Sequence, residues 1–413
     1  MDIKFQKSHL PFYIGIVFLL VIFVIELISI LKLNGNCFIY TLDDPYIHLA
    51  LAENIRHGHY GINANEFSAP SSSILWPFIL APFANIAVFP LILNCATAVA
   101  TVVLFVKVLY ASIQMDHKSV PYIISAAVVL LILVTNIVGI AFTGMEHSLQ
   151  VLLVVLIMSG LITANEKGSI PVWLLAAIVL APLVRYECVA ISVAALIYLV
   201  KNRHYKQALI ASLLMGICIG GFSVYLMLSG AGPFSASIVA KSSVIKNDGS
   251  VHSILLNLTR SLFEERQGTV LICTAIALIA YRIISKDIKR EVLVLAVTAA
   301  IALHFIAGRF GWYHRYEIYI WAFSLLVCVY LWMPYIVTCL AEKPIIYSWL
   351  VFVFVGILMT FAGKPYICAL FTLPVASNNI YEQQYQMHRF VVDYYKRPVA
   401  VNDLGYVSYK NHN

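Results

Sequence analysis

Residues 12–33 read FYIGIVFLLVIFVIELISILKL, an apolar run in which Glu26 and Lys32 are the only charged residues. A helix of about 20 apolar residues is long enough to span the hydrocarbon core of a bilayer. The run follows a short basic start, is too long for the core of a signal peptide, and has no small-residue cleavage site behind it. It therefore predicts a membrane anchor that remains part of the protein.

The composition of the whole chain points the same way. Of its 413 residues, 61% are hydrophobic and 11% are charged, whereas soluble globular chains have roughly 45–50% apolar and about 25% charged residues. The net charge of +7 comes from basic residues in short segments between apolar runs, which the positive-inside rule explains. The composition predicts a polytopic membrane protein whose partner is the lipid bilayer, and no nucleic-acid partner.

The order of the apolar runs predicts an all-α transmembrane bundle of about 11 helices. After residues 12–33, the runs lie at 90–112, 120–142, 147–164, 170–184, 188–200, 207–229, 268–285, 291–308, 316–336 and 345–363. With the N-terminus in the cytoplasm, alternation places basic clusters such as Lys201, Arg203 and Lys206 inside and residues 34–90 outside. The segment 74–87 is apolar but short and broken by proline, so we expect a re-entrant or interfacial helix.

This topology divides the chain into two parts. Residues 1–363 form the membrane module, with a first external loop at 34–90, and residues 364–413 form an external tail. In the tail, an amphipathic helix is expected from Tyr381, followed by a strand within Pro398–Tyr409. A lone strand leaves its backbone groups unpaired, so we interpret the tail as the remnant or start of an α/β domain, truncated or docked elsewhere.

The first external loop contains the strongest local motif, TLDDPYIH at residues 41–48. Asp44 precedes Pro45, as at the start of a helix, and is expected to cap the helix. Asp43 has no such structural role and is the better candidate for a chemically active carboxylate. Asp44 and His48 lie one helical turn apart and share a side of the helix.

Further charged residues fall on the same external side in this topology. They are Glu146, His147, Arg185, Glu187, Lys241, Arg309 and Arg315. Charged groups at the edge of the hydrocarbon are costly and usually mark a site. We therefore expect several helix ends to converge on one outer face.

The motifs resemble, in order along residues 38–410, those of the GT-C class of integral-membrane glycosyltransferases. The likeness is to bacterial relatives of the mycobacterial terminal arabinofuranosyltransferase. Residues 43–77 resemble the first external loop of these enzymes. Their later turns are matched by Gly144-Met145-Glu146-His147, Arg185-Tyr186-Glu187, Ala240-Lys241 after Pro233-Phe234-Ser235, and Arg315-Tyr316. Tyr186 stands where the family has a proline, which alters the turn but keeps the charged pair.

The resemblance implies transfer of a sugar from a polyprenyl-phosphate donor to a glycan or glycolipid acceptor, outside the bacterial cytoplasmic membrane. Asp43 would take the acceptor proton, with Asp44 and His48 orienting it. The cations Arg185, Arg309, Arg315 and Lys241 would hold the phosphate. The acidic pair Glu146 and Glu187, with His147, would steer the arginines or contact the sugar.

Other interpretations stay open at this point. Asp43, Asp44, His48 and Glu146 also suit a divalent metal, although no cofactor is predicted. Arg185 and Glu187 also suit a structural ion pair. Glu146 and His147 also suit the interfacial edge of a helix. Contacts with lipid headgroups are a further interpretation for Lys241, Arg309 and Arg315. As alternatives to a glycosyltransferase, an O-antigen polymerase or ligase would centre on a late external loop, and a polysaccharide transporter or flippase would carry ionisable residues at mid-membrane.

Overall fold

The computed structural model describes residues 8–63, 66–113, 117–241, 251–263, 265–285, 288–311, 313–342 and 345–411. Within these segments the regular structure is helical, and they contain no strand. The first ten helices are α1 (Leu10–Leu33), α2 (Asp44–Arg56), α3 (Trp76–Leu80), α4 (Phe89–Ser112), α5 (Val120–Val134), α6 (Ile137–Phe142), α7 (His147–Lys167), α8 (Val172–Val184), α9 (Val189–Lys201) and α10 (Tyr205–Leu228). The others are α11 (Ala236–Lys241), α12 (Val251–Phe263), α13 (Arg266–Ser285), α14 (Ile288–Ala307), α15 (Ile318–Glu342), α16 (Ile345–Phe371), α17 (Leu373–Ile380), α18 (Gln386–Arg389) and α19 (Gly405–Ser408).

Seven of the described helices are long and apolar enough to cross a membrane, namely α1, α4, α7, α10, α13, α15 and α16. The protein therefore has the architecture of a polytopic membrane protein, as the composition predicts. Each of the eleven predicted runs contains a helix, but α5, α8, α9 and the apolar part of α14 are shorter than a full span. The predicted count of about 11 spans stays a prediction.

The helices differ in how deeply they lie inside the bundle. In α7, 72% of the apolar window is buried by other parts of the protein, whereas in α10 only 11% is. A close approach of α7 and α8 is possible because residue 160 is glycine, where an added Cβ would lie 2.8 Å from the Leu174 Cβ. Helix α7 is thus central, and α10 is left with an apolar surface suited to lipid contact.

Contacts between connecting segments bring several helix ends together. The Thr41 N–H donates to the carbonyl oxygen of Phe142 at the end of α6. The Ile74 N–H donates to the carbonyl oxygen of Leu183 at the end of α8. Residues 34–63, 66–88, 143–146 and 185–188 lie together at one end of the bundle. We call this end the loop end.

Two local predictions about helices are wrong. The run at 120–142 is not one helix, because Asn136 adopts a left-handed conformation (φ 47°) between α5 and α6 and its side chain accepts from the Gly139 N–H. Asp44 is not the capping residue, because it is the first residue of α2 and the preceding Asp43 occupies the cap position without a capping side-chain bond. The segment at 74–87 does form a short helix, α3, followed by a 3-10 turn at Ala81–Phe83.

The tail packs on the loop end as helices. From α17 the chain continues helically through α18 to Tyr395, with π-helical turns on both sides of α18. The expected strand within Pro398–Tyr409 is wrong, because Gly405–Ser408 form α19. The backbone groups at the start of α19 find partners in the first external loop, described below, so this segment needs no neighbouring strand.

Candidate functional site

An ion pair joins the first external loop to the loop before α15. The Arg315 Nη2 lies 2.5 Å from Oδ2 of Asp44, across 271 positions of sequence. The Arg315 side chain is 1% exposed, whereas that of Asp44 is 29% exposed. Two residues that the sequence predicts as site residues from opposite halves of the chain are therefore in direct contact.

A second cation, Arg185, binds two carboxylates at the loop end. Its Nη1 donates to Glu146 Oε1 at 2.8 Å, and its Nε and Nη2 donate to the two oxygens of Glu187 at 3.1 and 2.6 Å. Arg185 and Glu146 are almost fully buried. Burial lowers the pKa of Arg185, but the charges of Glu187 and Glu146 outweigh this effect and raise it above its ordinary value. The guanidinium group therefore stays charged in a buried position.

His48, which belongs to α2, contacts the carboxylate of Glu146 that binds Arg185. Its Nε2 lies 3.6 Å from Glu146 Oε2, and its Nδ1 lies 3.2 Å from the Ser71 hydroxyl. The Ser72 hydroxyl donates to Glu146 Oε1 at 3.1 Å. The predicted residues His48, Glu146, Arg185 and Glu187 thus form one polar network, which is buried except for Glu187, whose side chain is 28% exposed.

The serine run beside this network is largely structural. The Ser73 hydroxyl accepts from the Trp76 N–H at 3.0 Å, at the start of α3. The Ser71 hydroxyl donates to the Ser73 carbonyl oxygen at 2.6 Å. These bonds fix the loop next to Arg185, because the following residues are bonded to the carbonyl oxygen of Leu183.

Three arginines surround the ring of Tyr316. The guanidinium carbons of Arg315, Arg185 and Arg309 lie 5.3, 5.9 and 5.9 Å from its centroid. An aromatic face attracts cations, so the ring offsets part of the repulsion among the three guanidinium groups. Tyr316 is thus the ring that arginines of two separate turns share.

A cavity of about 320 Å³ opens beside this ring. Its polar lining residues include Ser72, Arg185, Glu187, His304, Arg309 and Tyr316. Its apolar lining residues include Val189, Ala190 and Val193 of α9 and Leu303, Ile306 and Ala307 of α14. The cavity therefore combines cationic groups and hydrocarbon in one lining.

Arg315 retains hydrogen-bonding capacity beyond its pair with Asp44. Its Nε and Nη1 are buried and have no hydrogen-bond partner among the residues that the structure describes. Buried polar groups are nearly always hydrogen-bonded, so donors left over in this way call for an explanation. Buried donors on a cation indicate a place for an anion.

The loop that carries Arg315 has an unusual backbone. Gly311, Tyr313 and His314 all have left-handed conformations, with φ of 85°, 66° and 55°. Such conformations are costly for residues other than glycine and cluster at functional sites. The Tyr313 hydroxyl holds the loop by donating to the Ala369 carbonyl oxygen at 2.8 Å.

The buried carboxylate of Glu317 also holds the loop that carries Arg315. Its Oε2 accepts from the Gly311 N–H at 3.0 Å, and its Oε1 lies 3.4 Å from His314 Nδ1. Burial raises the pKa of the Glu317 carboxyl. Glu317 is therefore a support of the loop that carries Arg315.

Asp43 has a different environment from the one expected. Its Oδ2 accepts from the Gly405 N–H and its Oδ1 from the Tyr406 N–H, both at 2.7 Å, at the start of α19. The rings of Tyr406 and Tyr46 lie 4.0 Å apart, and the Tyr409 hydroxyl donates to the Ala84 carbonyl oxygen at 3.0 Å. The expectation that Asp43 has no structural role is wrong, because its carboxylate holds the tail on the first external loop.

Burial also changes the acidity of Asp43. Desolvation raises its pKa from the ordinary value of 3.8 to about 6, although the two backbone N–H groups oppose this shift. The nearby carboxylates Asp403 and Asp44 raise the pKa further. Asp43 is thus a weaker acid, and a better proton acceptor, than an ordinary aspartate.

The remaining predicted residues lie less centrally. His147 is fully buried, and its Nδ1 lies 3.1 Å from Oε1 of Gln150 in its own helix. Lys241 ends α11, and its side chain lies outside what the structure describes. Sequence reasoning did not select Tyr316, Ser72 or His304 as site residues, although Tyr316 lies beside a selected arginine.

In the described part of the chain, no group of three or more His, Cys, Asp or Glu side chains is placed to hold a metal ion. No protein-family model matches the sequence, and no curated protein matches it.

Proposed function

We propose that this protein is a membrane glycosyltransferase that moves a sugar from a polyprenyl-phosphate donor to a cell-envelope glycan or glycolipid. One observation carries the proposal: Arg185, Arg309 and Tyr316 line a cavity whose other lining residues are largely apolar. A polyprenyl phosphate has an anionic head on a hydrocarbon chain. The cationic and the apolar lining residues suit these two chemical parts.

The cations suit the charge that develops during the transfer. When the bond between the sugar and the phosphate breaks, negative charge grows on the leaving phosphate, and fixed cations stabilise it. Arg315 supports this role with N–H groups that are buried and unused within the described residues. Arg185 and Arg309 line the cavity itself.

Asp43 is the proposed base that takes the proton of the acceptor hydroxyl. Its pKa of about 6 suits this role, because a base works best when its pKa lies near the operating pH. The N–H groups of Gly405 and Tyr406 orient its carboxylate. Asp44 and His48 support the site through Arg315 and Glu146.

The direction of insertion follows from the basic residues. Helices α4, α7 and α9 lead from the loop end toward segments that contain Lys118, Lys167, Lys201 and Arg203. Such clusters favour the cytoplasmic side. The proposed site then faces the periplasmic or outer side of a bacterial cytoplasmic membrane.

The position of the carboxylates favours a transferase over a transporter. Asp43, Asp44, Glu146 and Glu187 all lie at helix ends, outside the candidate spans. Glu26 lies inside a span, and one carboxylate does not make a relay of the kind that transporters use.

An O-antigen polymerase or ligase remains a second candidate, because Arg309, His314 and Arg315 share one late loop. Enzymes of that type would use a donor linked through a diphosphate. We rank it second because Arg315 contacts Asp44 of the first external loop, whereas a polymerase or ligase would centre on the late loop itself.

Lipid binding by the protein in nanodiscs tests the proposal. We expect undecaprenyl phosphate to bind more tightly than undecaprenol, and Arg309→Leu to remove this preference. Lys206→Leu is the matched control, because Lys206 is an exposed cation at the start of α10. Tighter binding of the diphosphate would support the polymerase or ligase, and equal binding of phosphate and alcohol would contradict both. Mass analysis of surface glycans in a deletion strain would then identify the transferred sugar.

A further inference from the structure

His304 is a polar residue that the proposed site has not yet used. It lies in the last turn of α14, is 1% exposed, and lines the cavity together with Arg185 and Arg309. Its ring is held in place by edge contacts with Phe310 and Tyr319, whose centroids lie 4.8 and 5.4 Å away. The imidazole is therefore buried, oriented and next to the proposed phosphate position.

The two ring nitrogens of His304 have different environments. Nδ1 lies 2.8 Å from the Tyr319 hydroxyl. Nε2 is buried and has no hydrogen-bond partner among the described residues. A buried imidazole nitrogen without a protein partner, on a residue that lines a cavity, points to a ligand atom as its partner.

The contact with Tyr319 determines which nitrogen carries the proton. Tyr319 is buried, and its only hydrogen bond within the described part of the chain is the one to His304. If its hydroxyl accepted from Nδ1, its own proton would have no acceptor. The arrangement that satisfies both groups has the hydroxyl donating to Nδ1, so that the proton of a neutral imidazole lies on Nε2.

A glycine makes this position of the imidazole possible. At Gly308, one turn further on, an added Cβ would lie 2.2 Å from His304 Nδ1. Any larger residue would force the imidazole away from Tyr319. The contact between His304 and Tyr319 therefore depends on the residue that ends the turn.

We propose that the Nε2–H of His304 donates a hydrogen bond to a phosphate oxygen of the polyprenyl-phosphate donor, and that Tyr319 is the positioning residue that holds this proton on Nε2. The proposal rests on the proposed function. A phosphate matches better than a sugar hydroxyl, because its oxygens only accept, while the Nε2–H and both arginines only donate. His304 thus adds a donor to the phosphate site without adding charge.

Binding of undecaprenyl phosphate and of undecaprenol to variants in nanodiscs tests this inference. His304→Leu should weaken phosphate binding about 10-fold, the usual value of one hydrogen bond to a charged group, and leave alcohol binding unchanged. His304→Gln, which keeps an N–H donor, should recover part of the loss. Tyr319→Phe should weaken phosphate binding about 3-fold, because the proton is then free to move to Nδ1.

The control and the contrary outcomes separate this inference from the proposed function. Phe305→Leu alters a buried ring on the same helix outside the cavity lining and should leave the preference for phosphate unchanged. If His304→Leu binds the phosphate normally while Arg309→Leu does not, the role of His304 is wrong and the phosphate cavity stands. If His304→Leu weakens phosphate and alcohol equally, His304 is only a packing residue. If the native protein does not prefer the phosphate, both proposals fail.

Discussion

Asp43 and Asp44 are adjacent in sequence and belong to different parts of the structure. Asp43 is held by two backbone N–H groups of the tail, 362 and 363 positions away. Asp44 is held by the guanidinium group of Arg315, 271 positions away. Neutral N–H groups orient a carboxylate and leave its charge in place, whereas an arginine neutralises it. The first arrangement suits a proton acceptor and the second suits a link to a cation site.

Replacement of Asp43 by asparagine should have the largest effect of any change at the two aspartates. The amide cannot take a proton, so we expect transfer activity to fall by about 10²–10⁴-fold, the usual contribution of a general base. Gly405→Ala is the matched control, because its Cβ would contact Asp43 within 2.5 Å and displace the tail while leaving the carboxylate intact. Equal activity losses in the two variants would show that Asp43 only anchors the tail.

Removal of Arg185 should have the next largest effect, because it leaves Glu146 buried without its cation. We expect Arg185→Leu to destabilise the protein by about 3–5 kcal/mol, measured as loss of the folded fraction on heating in detergent. The double variant with Glu146→Gln should regain most of this stability without regaining activity. A single variant as stable as the native protein would contradict the structural role of the pair.

Removal of Arg315 should affect binding more than stability, because its partner Asp44 is partly exposed. We expect Arg315→Ala to weaken binding of undecaprenyl phosphate by about 10–100-fold, the range for a charge-assisted bond. Asp44→Asn should retain more binding, since it keeps the cation. The opposite order of the two variants would place the anion site elsewhere.

The smallest expected effect is a pH dependence of stability that belongs to Asp43 alone. Its pKa is about 6 in the folded protein and takes its ordinary value of 3.8 on unfolding, so the folded state binds more protons between these values. The stability that this difference contributes is therefore present below about 3.8 and is lost as the pH rises through about 6. Thermal unfolding at pH 4 and pH 7 should show it as a difference between the native protein and Asp43→Asn, which lacks the titrating group.

Much of the candidate site could be predicted from sequence, for a physical reason. Charged residues at the ends of apolar runs are costly unless they have partners, so Asp44, Arg185 and Arg315 stand out individually. Their grouping follows from alternation of the helices, which brings every second connection to the same end of the bundle. Tyr316 and His304 could not be selected this way, because an aromatic residue or a single histidine at a helix end is usual in membrane proteins.

The role of the tail could not be predicted from its own residues. Pro398–Tyr409 has a composition typical of a strand, and a strand is the natural expectation where β-branched and aromatic residues alternate with turn residues. The structure forms α19 there because Asp43, more than 360 positions away, accepts its first two N–H groups. A contact of that separation leaves no local pattern in the sequence.

The polytopic helical architecture can be read from the amino-acid sequence, because the burial of apolar side chains in lipid depends on the length and composition of each run. The positions of charged residues at helix ends can be read in the same way. Their partners depend on the tertiary structure, which pairs Asp44 with Arg315 and Glu146 with Arg185, groups three arginines around Tyr316, and holds the tail on Asp43. Pairings of this kind depend on distances of a few ångströms between segments far apart in the chain, and these distances are set by how the helices pack.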